Sequence, residues 1–114
     1  MSKSILMFLV LSLCLISKSY AVFNCEADVN RILVYGDGTV NVLHSGRGDY
    51  TVICNTKGTF KGVDTVTCSL WIGMLQSMQN NNKKAIFYYS GDGTCATLTT
   101  YSNAPVPVYI GSIK

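Results

Sequence analysis

Apolar and polar positions alternate with a period of two in the outer parts of the chain and switch to a helical period in its middle. Asn30 to Tyr35 (NRILVY) is β-branched and aromatic, Gly36-Asp37-Gly38 follows as a turn, and Thr39 to His44 (TVNVLH) alternates. Two such runs around Asp-Gly predict a hairpin, with Val40, Val42 and His44 on one face of its second arm. A polar loop from Ser45 to Asp49 leads to a third predicted strand, Tyr50 to Cys54 (YTVIC). From Val66 the apolar residues fall at Val66, Leu70, Met74, Leu75 and Met78, a stripe that suits one face of a helix. Asp64 is placed to cap its start, and Asn80-Asn81-Asn82 to stop it. Gly73 sits in the middle of this helix, as if to let a strand approach closely. Lys84 to Tyr89 (KAIFYY) reads as a strand, Gly91-Asp92-Gly93 as a second turn, and threonine-rich Cys95 to Tyr101 as another strand. Pro105 and Pro107 then open a last apolar segment, Val106 to Ile113, whose start suits a sheet edge. The order β-β-β-α-β-β-β predicts a mainly β fold with one central α-helix, as in a small OB-like barrel or an α+β sandwich.

The N-terminus follows a different pattern. Lys3 precedes an apolar run from Ile5 to Ile16, and Ser19-Tyr20-Ala21 is a small-x-small site, so residues 1–21 read as a signal peptide cleaved after Ala21. The run is too short to span roughly 30 Å of hydrocarbon, which takes about 20 residues. The expected product is one small domain, residues 22–114, secreted or periplasmic. It keeps seven basic residues against six acidic ones, a balance that gives no reason to expect nucleic acid or an anionic membrane. Cys14 leaves with the leader, and the four cysteines that remain allow three pairings. Cys54–Cys68 with Cys25–Cys95 is favoured, because each bridge then ties neighbouring elements without crossing the barrel. Such bridges contribute on the order of 2–4 kcal/mol each to a chain this small. No Cys-x-x-Cys pair suggests a metal site, and no cofactor is expected.

Candidate chemistry is sparse. His44 is the sole histidine, with no motif around it that resembles a nucleophile elbow, and Asp37, Asp49 and Asp92 lie in or beside glycine turns. A catalytic role is therefore not expected. Arg47-Gly48-Asp49 spells an integrin-type tripeptide, but glycine beside charges is ordinary loop composition. Trp71 falls at helical spacing from Met74, Leu75 and Met78, as a core aromatic would. Six tyrosines beyond Ala21 supply amphipathic rings of the kind that face sugars and partner proteins.

The chain resembles the cell-binding B subunits of the pentameric bacterial toxins, the cholera-like and pertussis-like groups. The pieces that carry the resemblance are FNCEADV from Phe23, the helix from about Asp64 to Asn80, KKAIFYY from Lys83 and the final NAPVPVYIGSIK. It also resembles short secreted bacterial proteins of unknown function. The toxin resemblance implies an OB fold in which a disulfide joins the N-terminal segment to a strand after the helix, where Cys25 and Cys95 fall. A second pair, Cys54 and Cys68, departs from the single bridge of the cholera-like members. It further implies a non-catalytic subunit of a homopentameric ring that binds a host-surface glycan, any toxic activity residing in a separate A chain. Sugar contacts would then come from Tyr101, Ser102 and Asn103 and from Ser45 and Arg47 of the Ser45–Asp49 loop. The competing expectation is a monomeric protein-binding factor of the inhibitor or immunity type. A small hydrolase built on His44 or paired aspartates is a third.

Overall fold

The computed structural model describes residues 21–113. The expected leader thus lies outside the described residues, except for Ala21. Seven regular elements follow in order: β1 (Val22–Ala27), β2 (Val29–Val34), β3 (Thr39–His44), β4 (Tyr50–Asn55), α1 (Thr65–Asn80), β5 (Ala85–Ser90) and β6 (Tyr109–Ser112). Cys95–Thr97 forms a single 3₁₀ turn between the last two strands. The fold is mainly β with one helix, and its strands form two three-stranded antiparallel sheets, β1-β5-β6 and β2-β3-β4. The sheets do not close into one barrel.

Two strand assignments change. β1 lies ahead of the first strand expected from the sequence, and in it Cys25 and Ala27 turn to the core while Asn24 and Glu26 face solvent. Its six residues pair in register with β5 from Val22↔Ser90 to Ala27↔Ala85. The threonine-rich segment from Cys95 is not a ladder strand. Cys95 is tied to β1 and the chain coils there, and only Tyr101 makes an isolated parallel bridge, to Thr51. β2 and β3 form the expected antiparallel hairpin, with a register shift between Val29 and Arg31, and Asp37 Oδ1 accepts the Thr39 amide at 3.0 Å to close the turn.

The disulfides are Cys25–Cys95 and Cys54–Cys68, with Cα separations of 5.6 and 5.5 Å. The second one orients α1. Cys54 is buried on β4, so Cys68 must face the sheet, and Trp71, Leu75 and Met78 follow it inward. Val66 and Leu70, expected in the buried stripe, are rotated out and stand 67% and 63% exposed. Asp64 caps the helix, its Oδ1 accepting from the Thr67 amide at 2.7 Å. At the other end the Asn81 amide reaches Ser77 O, and Asn82 takes a φ of 55°, the left-handed conformation that asparagine tolerates. Gly73 meets no neighbour where a Cβ would stand, so no strand approaches it. The core unites both sheets and the helix through Val40, Val42, Ile53, Trp71, Leu75, Phe87 and Tyr89.

Candidate functional site

β5 ends at Ser90, and the chain turns through Gly91 and Gly93 at φ 109° and 138°, values that only glycine adopts freely. The Cys25–Cys95 bridge then pulls the 3₁₀ turn back onto β1. Between these pieces lies a hollow of about 240 Å³ whose walls include Phe23, Ser90, Asp92, Thr94, Thr97 and Thr99. A second hollow of about 550 Å³ adjoins it, since Ser90 and Pro105 line both. Its walls carry Lys61, Asp64, Thr67 and Trp71 from the start of the helix and Val106 and Pro107 from the segment before β6. Ser90 and Pro105 thus stand between the two hollows, hereafter the small and large lobes of a groove.

Several of its side chains are held firmly. Phe23 stacks on Tyr89 with ring centroids 5.1 Å apart. The hydroxyls of Thr94 and Thr97 lie 3.0 Å apart, and Thr99 Oγ1 donates to Asn103 O at 2.7 Å. Lys61 Nζ donates to Ser102 O and Ala104 O at 2.7 and 2.8 Å, fastening the loop before Pro105 to the helix start. The Thr67 amide bonded to Asp64 holds that carboxyl below its ordinary range, so it stays ionised. The uncommitted groups include two exposed ones, on Ser90 and Asp92. Among the described residues neither the Ser90 hydroxyl nor the Asp92 carboxylate has a hydrogen-bond partner, and the one ion pair is Lys84–Asp28.

The five residues singled out from the sequence for sugar contacts occupy other positions. Tyr101 runs along the edge of β4, its amide donating to Tyr50 O at 2.8 Å, and its ring is half-exposed 6.1 Å from that of Tyr50. Ser102 and Asn103 serve through their carbonyls, as acceptors for Lys61 and Thr99. Ser45 Oγ accepts the Asp28 amide at 2.9 Å. Arg47 Nε donates to Leu98 O at 2.6 Å, which buttresses the small lobe from behind and takes the arginine out of the Arg-Gly-Asp motif. None of the five lines either lobe. The groove residues themselves carried weak signals: Ser90 to Thr94 read as a plain turn and Cys95 to Tyr101 as a strand. Pairing of β1 with β5 and the bridge to Cys25 bring them against Phe23.

His44 lies in the core, fully buried and stacked on Phe87 with centroids 4.5 Å apart. Neither ring nitrogen has a partner, and burial lowers its pKa to about 4. Tyr89 is likewise buried with its hydroxyl unpaired, which pushes its pKa up. Among the described residues no three His, Cys, Asp or Glu side chains converge, and no helix is long and apolar enough to cross a membrane. No family model, curated protein or solved structure matches the chain.

Proposed function

We propose that this protein is an exported, non-catalytic binding module that takes a glycan in the two-lobed groove around Ser90 and Pro105. The observation that carries this is the uncommitted pair Ser90 and Asp92, set among ordered threonine hydroxyls and beside Phe23. Sugars present hydroxyls in need of donors and acceptors together with apolar ring faces, and this wall supplies both kinds of partner. Two disulfides and a small core suit an oxidising compartment. Saturable binding on a glycan array by the non-reduced protein, lost in Ser90→Trp, is the expected result. An array with no bound sugar, alongside a tight protein partner from the producing cell, would replace this reading with the inhibitor or immunity-type factor.

The same reading extends to a ring of the toxin B-subunit kind, with the two sheets as an open counterpart of an OB-like barrel. Two features support assembly. All sixteen residues of α1 are uncharged, although Val66 and Leu70 face outward. β1, β2 and β6 each lie at a sheet edge, with backbone groups on one side lacking a strand partner among the described residues. A separate toxic chain would dock on such a ring.

A further inference from the structure

The charges that line the groove are unbalanced. In the small lobe Asp92 is the sole ionisable side chain on the wall. In the large lobe the wall carries Lys61 and Asp64, of opposite charge, and the Lys61 ammonium is bonded to two carbonyls. One cation thus stands against two carboxylates, and no cation lines the small lobe. Asp92 is also set between Gly91 and Gly93, both at positive φ, so its place in the turn depends on a backbone path that other residues strain to follow.

We infer that the groove selects uncharged sugars, with Asp92 accepting hydrogen bonds from two neighbouring hydroxyls of one ring, and that it rejects sialylated, sulphated and phosphorylated glycans. The inference rests on the reading that the groove binds a glycan. An ionised carboxylate is an acceptor only, with two oxygens spaced to take two adjacent O–H donors, and such charge-assisted bonds are stronger than neutral ones. An anionic sugar in the small lobe brings like charge to a wall that has no cation to offset it. The Ser90 hydroxyl, shared by both lobes, is the adjacent donor for a ring oxygen or a third hydroxyl.

The test pairs neutral hexose-terminated oligosaccharides with their sialylated counterparts on one array, probed with the native protein, Asp92→Asn and Ser90→Ala. Native protein is expected to bind neutral probes and pass over sialylated ones. Asp92→Asn, which keeps the size and removes the charge, is expected to weaken neutral binding by about tenfold and to narrow the discrimination against sialylated probes. Native protein that prefers sialylated probes, or neutral binding that Asp92→Asn leaves unchanged, overturns the assignment while leaving glycan binding intact. Binding to no glycan at all overturns both. Should the variant fold poorly, saturation-transfer NMR on the native protein, with neutral and sialylated trisaccharides in competition, separates the same outcomes.

Discussion

His44 brings an imidazole into the seam between the two sheets, where its ring stacks on Phe87 and its two nitrogens find no partner. Burial is the sole influence on its proton affinity, which falls from the ordinary 6.5 to about 4. The unfolded chain therefore takes up a proton on acidification before the folded one does, and stability is lost as pH falls from about 6.5 to about 4. That difference corresponds to about 3 kcal/mol across the window. Melting temperature measured across it should fall in the native protein and fall much less in His44→Leu. Equal slopes in the two proteins would show that His44 does not control the acid response. The location of this residue was legible, because Val40, Val42 and His44 share the inward face that strand alternation assigns them. Asn41 was not legible. Alternation sends it outward, yet it is buried, its amide donating to the Tyr35 hydroxyl at 3.3 Å. Covering by residues distant in sequence leaves no trace in a period-two pattern.

At the scale of elements, the helix ends were readable and the helix face was not. Asp64 and the asparagine run act locally, through side-chain and backbone bonds within a turn, so sequence reports them directly. The face is a tertiary matter. Cys68 is anchored to β4, and that single bond decides that Trp71, Leu75 and Met78 turn inward while Val66 and Leu70 turn out. Similarly, β1 carries a period-two pattern in Phe23, Cys25 and Ala27, but it is short and follows directly on the expected cleavage site. Pairing with β5 is what makes it a strand. The groove was hidden for the same reason, since Phe23 and Thr94 meet through the β1–β5 ladder and the Cys25–Cys95 bridge, whose cysteines are 70 residues apart in sequence. Gly73 offers a clean test of the helix within one subunit. It lies in a regular helix with open space at its Cβ position, so Gly73→Ala should stabilise the isolated chain by about 1 kcal/mol in denaturant unfolding. A destabilised variant would mean that something packs closely against that position.

For the whole molecule the question is how an uncharged helix face and the open sheet edges are kept from indiscriminate association. Closed rings solve it, because each edge and each face meets its complement on a neighbouring copy and none is left over. Leu70 is the residue on which this can be decided. At 63% exposure it contributes little to the core of one subunit, so Leu70→Glu should leave the fold and the single-site sugar affinity as they are. In a ring the same change puts like charges on adjoining helices and should release subunits. Native mass spectrometry of the non-reduced protein is expected to show a closed oligomer, a pentamer on the toxin reading, and Leu70→Glu is expected to shift it to monomer. Binding to a surface dense in sugar should then drop by about 10²-fold or more, since multivalency is lost while each groove is unchanged. Native protein that stays monomeric at every concentration removes the ring. Glycan recognition, if present, would then be a property of the lone subunit, and the apolar face of α1 would belong to a different protein partner.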